Sequence, residues 1–251
     1  MPAPATPKAE LIEVFSSIQG EGVLVGHRQI FVRLAWCNLD CAYCDTPFAK
    51  QDQCLIETRP GCAAFEAVTN PVSLELLLER LKSWLERLPG AHHSLSMTGG
   101  EPLVQVDVLE EWLPVLRRYL PIYLETNGTM VAELQRVLSH LDWISMDIKL
   151  PSVTGALPLW DNHNEFLRLA RTRNCFVKAV VSEKTPDEEL RTTARLLSET
   201  APEVPLILQP VTTTAGIKLS AAQLLEMQAQ VAAIHPAVRI IPQTHHFLSV
   251  L

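Results

Sequence analysis

Cys37, Cys41 and Cys44 lie in the run Cys-Asn-Leu-Asp-Cys-Ala-Tyr-Cys. The spacing is Cys-x3-Cys-x2-Cys, one ligand short of the closed set that a structural zinc or a ferredoxin cluster takes. Three thiolates can hold three irons of a [4Fe–4S] cluster and leave the fourth iron open. An open iron can bind a small molecule and pass it an electron. The competing use of the same residues is a zinc knuckle completed by Cys54, Cys62 or a histidine elsewhere.

Other polar groups recur just after apolar runs. Thr98-Gly99-Gly100-Glu101-Pro102 offers backbone acceptors and a carboxylate, a set suited to a ligand ammonium, although the same residues serve a tight turn. Glu125-Thr126-Asn127-Gly128 combines hydrogen-bonding side chains with an ordinary Asn-Gly turn. Ser145, Asp147 and Lys149 alternate along one run. They make either a polar strand face or a face turned toward a ligand. Lys178 stands among apolar neighbours, where a buried ammonium needs a carboxylate or must reach the rim.

These groups need elements to position them. Apolar runs over 30–34, 94–97, 122–125, 143–148, 175–181, 206–210 and 238–241 read as strands. Between them lie helical patterns over 73–88, 106–119, a stretch ending near 139, 160–173, 186–199 and 220–234. Ser73 is placed to cap the first of these, and Pro89-Gly90 stops it. The alternation predicts an α/β fold, an open, partial parallel β/α barrel of about six units. In such folds ligand chemistry gathers at the C-terminal ends of strands, where the cysteine loop and the other polar motifs fall.

With Tyr43 just before the last cysteine, the triad resembles the radical S-adenosylmethionine (SAM) superfamily. The resemblance implies a [4Fe–4S] cluster on Cys37, Cys41 and Cys44, with SAM chelating the open iron. It implies reductive cleavage of SAM to methionine and a 5′-deoxyadenosyl radical, driven by a flavodoxin- or ferredoxin-type reductant. It places SAM against Tyr43, Cys44, Asp45, Gly100, Glu101, Asn127, Ser145, Met146, Asp147 and Gln209.

The run Glu13 to Gly22, then Gly26, Phe31 and Arg33, resembles the 7-carboxy-7-deazaguanine synthase family of queuosine and 7-deazapurine biosynthesis. Asp45-Thr46 and Pro242-Gln243-Thr244-His245 belong to the same likeness, which is close over Glu13 to Thr46 and looser beyond. It implies conversion of 6-carboxy-5,6,7,8-tetrahydropterin to 7-carboxy-7-deazaguanine with loss of ammonia. Ile18, Gln19, Gly20, Glu21, Arg33, Thr98, Lys178 and Gln243 would touch the pterin, and Thr46 would ligate Mg2+. The planar fork of Arg33 suits the substrate carboxylate. A hydroxyl suits hard Mg2+, although Thr46 could equally cap a helix. A glycyl-radical-enzyme activase would share the cluster motifs and act on a protein. A non-catalytic iron–sulfur electron carrier would want a fourth ligand.

The 251 residues are 47% hydrophobic and 20% charged, which suits one globular domain over 9–251 after a disordered lead over 1–8. Aromatics are only 6%, so aliphatic side chains must fill the core. The formal charge of −7 and the lack of any basic stripe argue against nucleic acid. An anionic substrate would therefore need a local basic pocket. No run is long and apolar enough for a membrane span or a signal peptide. Six cysteines, three of them in a cluster motif, point to a reducing cytoplasm. A homodimer is the expected assembly. The segment 47–71, with Cys54, Cys62 and many turn formers, reads as an insertion forming an ordered lid or a loop beside the cluster. Cys175, on an apolar run, reads as core.

Overall fold

The computed structural model describes residues 6–41, 49, 51–155, 157–213, 216–248 and 250. Strand β1 (Leu11–Ile18) pairs antiparallel with β2 (Arg28–Leu34). A hairpin of β3 (Gln53–Glu57) and β4 (Phe65–Thr69) adds to the other side of β1, with β3 parallel to it. Crossovers then carry the chain outward from β2. Helix α1 (Leu74–Arg87) leads to β5 (Ser94–Gly99), α2 (Val106–Leu116) to β6 (Ile122–Thr126), and α3 (Val131–Val137) to β7 (Trp143–Ile148). Helices α4 (Pro151–Thr154) and α5 (Trp160–Ala170) lead to β8 (Asn174–Val181), and α6 (Asp187–Thr200) leads to β9 (Leu206–Pro210). A small ribbon of β10 (Thr212–Thr213) and β11 (Gly216–Ile217) precedes α7 (Ala221–Ala232), β12 (Val238–Ile240) and α8 (His245–Leu248).

All but the ribbon form one ten-stranded sheet, in the order β12-β9-β8-β7-β6-β5-β2-β1-β3-β4. From β2 to β12 every pairing is parallel. The edges are β12 and β4, so the expected open, partial barrel is what forms. The segment expected as a lid or loop instead contributes a two-stranded hairpin to the sheet, because β3 continues the hydrogen-bonding of β1. Cys54 points into the core there and is fully buried, and burial pushes its thiol up to about 12. Cys175 is likewise pushed up to about 12 by burial. Neither thiol is primed to ligate iron.

Strand periodicity divides the sheet into two faces. Leu95, Met97, Leu124, Ile144, Met146, Val177, Ala179 and Leu208 join the core beneath the helices. Their sequence neighbours Thr98, Glu125, Asp147, Lys178 and Gln209 turn toward the barrel interior and line its cavity. Helix α1 shows the other half of the layer. The Ser73 hydroxyl accepts from the Leu76 N–H, and Leu74, Leu77, Leu81 and Trp84 lie buried along one stripe. At the N-terminal side, the Pro7 carbonyl accepts from the Trp112 indole and Ala9 pairs with Val72. No helix among the described residues is long and apolar enough to cross a membrane.

Candidate active site

A cavity of about 860 Å³ opens at the C-terminal ends of the parallel strands. Cys37 and Cys41 lie on its wall, on the loop that leaves β2, and the Leu39 N–H donates to Cys37 Sγ at 3.4 Å. Tyr43, Cys44, Asp45 and Thr46 lie outside the described residues. Trp36 enters the loop at φ 74°, in the left-handed region. Its carbonyl accepts the Glu101 N–H at 2.8 Å, which joins this loop to the Gly-Gly-Glu-Pro turn. Gly99 makes that approach feasible. It sits at φ 136°, and a Cβ there would meet the Leu34 carbonyl oxygen at 2.1 Å.

Glu101 does not face the cavity. Its carboxylate is fully buried and accepts from the Leu103 N–H at 3.1 Å, the Thr126 hydroxyl at 2.9 Å and the Asn127 N–H at 2.7 Å. Burial pushes its pKa up to about 7, a rise that those donors limit. Met146 was also expected at the cofactor. It packs in the outer core instead, because it alternates with Ser145 and Asp147 on β7. Ser145 faces inward but lies fully buried beside Tyr123, away from the cavity lining.

The other expected residues do converge. Ile18, Gln19, Gly20, Glu21, Arg33, Thr98, Gly100 and Asn127 share the lining with Asp147, Lys178, Gln209 and Gln243. Glu21 is the hub of one group. It pairs with Lys178 and accepts from Gln209 Nε2 at 3.1 Å and Gln243 Nε2 at 2.9 Å. Burial alone would raise its pKa. The Lys178 ammonium and the amide donors outweigh that and lower it to about 2. Burial likewise disfavours the charged Lys178, yet Asp147, at 3.3 Å, and Glu21 hold its pKa well above the ordinary value. Asp147 also takes Lys149 at 3.0 Å.

A second group is centred on Glu125, whose oxygens accept from Gln19 Nε2 and the Thr98 hydroxyl, both at 2.8 Å. Gln19 Oε1 in turn accepts the Glu21 N–H at 3.0 Å. A third group holds Arg33, whose Nε donates to Glu13 at 2.7 Å while the guanidinium lies over the Phe15 ring. Phe15 stacks on Phe31 with centroids 5.0 Å apart. Both Nη groups of Arg33 are without a partner among the described residues.

Sequence reasoning assigned no role to Glu13, Glu125 or His245, all of which line the cavity. Glu125 lies at the end of β6, where strand-end position is a signal; Glu13 within β1 and His245 on α8 carry only their place inside the family-like runs. The hairpin adds Leu55 to the wall.

The chain's own groups fit an iron–sulfur cluster with SAM. Cys37 and Cys41 share one cavity wall with Gly99 and Gly100, which present backbone without side chains to it. Gln209 Oε1, on the lining, is a buried acceptor with no hydrogen-bond partner among the described residues.

Comparison with known proteins agrees with this geometry. The Radical SAM superfamily model matches residues 32–197. The 7-carboxy-7-deazaguanine synthase of Geobacter sulfurreducens is 50% identical over 249 residues, covering 98% of this chain and 99% of that protein. That of Methanothermobacter thermautotrophicus is 34% identical, covering 96% and 97%. The crystal structure of QueE from Escherichia coli shares the fold with a TM-score of 0.58 at 19% identity, covering 95% of each chain. The chain therefore belongs to the radical SAM superfamily and, within it, to the 7-carboxy-7-deazaguanine synthase family.

Proposed function

We propose that this chain converts 6-carboxy-5,6,7,8-tetrahydropterin to 7-carboxy-7-deazaguanine with release of ammonia, a step of 7-deazapurine and queuosine biosynthesis. The observation that carries the reading is one cavity shared by the cysteine loop and by amide, carboxylate and cationic side chains. That lining suits a small polar heterocycle rather than a protein segment, which disfavours an activase.

When bound, the reduced cluster and SAM supply a carbon-centred radical able to take hydrogen from the substrate. The protein binds, orients and shields. Cys37, Cys41 and Cys44 would hold the cluster, and Gly100 and Asn127 would border SAM. Glu125 and Gln209 present acceptors for ring N–H groups, while the open Nη edge of Arg33 suits the carboxylate. Lys178, held charged by Glu21 and Asp147, acts as a cationic hydrogen-bond donor that releases no proton at neutral pH.

Mg2+ on Thr46 is our reading of the metal requirement. A hydroxyl oxygen is a hard ligand suited to Mg2+, an ion that keeps several waters and takes few protein ligands. A small flavodoxin- or ferredoxin-type carrier fits the need for single electrons. Thiolates that must stay reduced fit the cytoplasm. A homodimer is the proposed assembly, which sedimentation would check.

The reconstituted enzyme should form 7-carboxy-7-deazaguanine from the pterin, SAM, Mg2+ and dithionite, as detected by mass spectrometry. Deoxyadenosine formed equally with and without pterin, and no deazaguanine, would remove this reading. Chelation by EDTA followed by Mg2+ addition should lower and restore the rate, and Thr46→Ala should blunt that response.

A further inference from the structure

Asn127 is gripped at every polar group. Its N–H donates to Glu101 Oε2 at 2.7 Å, and its carbonyl meets His163 Nε2 at 3.1 Å. Its Oδ1 accepts from the Thr129 hydroxyl at 2.6 Å, and its Nδ2 donates to Asn38 Oδ1 at 2.8 Å. Asn38 lies between Cys37 and Cys41 and returns a bond from Nδ2 to Thr129 Oγ1 at 2.9 Å. The Asn38–Asn127–Thr129 triangle is thus a direct tie from the cysteine loop to the turn after β6.

His163 stands behind that turn. It comes from α5, is fully buried and does not line the cavity. A carbonyl oxygen only accepts, so Nε2 carries the hydrogen and the ring is the Nε2–H tautomer. Nδ1 is then a bare acceptor, and it has no partner among the described residues. Gly128 is pressed onto the ring from above. It sits at φ 68°, and a Cβ there would meet Met146 at 2.8 Å and His163 Cδ2 at 3.3 Å.

We propose that His163 is a positioning residue. It fixes the Asn127–Gly128 turn from behind, and through the Asn127–Asn38 amide pair it sets the conformation of the loop that holds the cluster. The imidazole supplies two things at once: a donor aimed at the Asn127 carbonyl, and a flat body that fills the space beneath Gly128. Burial lowers its pKa to about 4, so the neutral donor persists across the working range of pH. This assignment rests on the functional reading above, because the loop matters to turnover only if its cysteines hold the cluster.

The test compares His163→Phe, which keeps the ring and loses the donor, with His163→Gln, which returns an N–H at about the Nε2 position. Three readouts are taken on reconstituted enzyme: hydrogen–deuterium exchange of 37–41, the change in the reduced cluster's EPR spectrum on adding SAM, and KM for SAM against kcat. In the Phe variant, exchange over 37–41 should rise about fivefold to tenfold, as for one lost hydrogen bond. The SAM-bound EPR signal should broaden, and KM for SAM should rise more than kcat falls. The Gln variant should restore all three. Asn38→Ala, at an exposed position, cuts the same link from the other end without touching the core and should reproduce the exchange increase. Unchanged exchange over 37–41 in the Phe enzyme, whatever Asn38→Ala does, would overturn the proposal, as would a Gln variant no better than Phe. If exchange rises while the wild-type enzyme holds no [4Fe–4S] cluster, the tie stands and the functional reading falls.

Discussion

Glu101 is the residue whose structural role departs furthest from its motif. A carboxylate in a glycine-rich turn suits a ligand ammonium, yet this one spends its oxygens on Leu103, Thr126 and Asn127. Its folded pKa of about 7 lies above the ordinary 4.5. A raised carboxyl pKa contributes stability that is full below 4.5 and is lost as pH rises through about 7. Glu101→Gln should therefore flatten the fall in melting temperature between pH 5 and 8. It should also cost about 1–3 kcal/mol at pH 5, because the Asn127 N–H loses its acceptor. Parallel pH profiles for the variant and wild type would show that another group titrates. The motif was legible as a strand-end turn, but spacing does not reveal which way a carboxylate turns. Arg33 and Lys178 teach the same point. Their charge was readable, whereas their carboxylate partners Glu13 and Glu21 lie 20 and 157 residues away.

Among elements, the parallel strands were legible because each is a short apolar run followed by polar residues at the cavity. Strand β1 was not read as a strand. Its residues stood out for their likeness to substrate contacts, and its identity as a strand depends on pairing with β2 and β3. The hairpin hid for a related reason. Turn formers dominate 47–71, and what holds the hairpin is distant: Glu57, fully buried, accepts the Ser16, Gly61 and Ala63 N–H groups. The junction of β2 and β5 is the least tolerant point of this layer. Gly99→Ala would drive a Cβ into the backbone of Leu34, which has no side-chain freedom with which to yield. A loss of about 3 kcal/mol or more in urea unfolding is expected, from overpacking added to a left-handed φ. Gly90→Ala is the control. Its φ is 72° with nothing within 4 Å, so only the conformational cost of about 1–2 kcal/mol applies.

At the scale of the molecule, an acidic protein of net charge −7 brings Arg33, Lys149 and Lys178 into one cavity, in line with the carboxylated substrate proposed for it. Each cation is matched to a carboxylate. Lys178→Met would leave Glu21 and Asp147 facing each other without their shared counter-charge, and should cost about 3–5 kcal/mol in urea unfolding. Adding Glu21→Gln should recover part of that loss. A single-variant cost below about 1 kcal/mol would mean that solvent already screens the pair. The same pair sets an acid limit. With its pKa lowered to about 2, Glu21 adds stability above 4.5 that disappears as pH falls toward 2.

Glu21 meets Lys178 across 157 residues, Gln209 across 188 and Gln243 across 222, and the Thr244 N–H closes on the Gly20 carbonyl at 2.8 Å. Read along the ribosome, those separations become a timetable. At roughly 5–20 residues per second, Gln243 emerges several seconds or more after Lys178. Through the first part of that interval Glu21 has neither Gln209 nor Gln243 to accept from, and through the rest it lacks Gln243. The cysteine loop leaves the ribosome long before either partner, so iron can meet the thiolates while the rest of the pocket is still being synthesised. Among the side-chain bonds to the Glu21 carboxylate, the one from Gln243 is the last for which both partners exist.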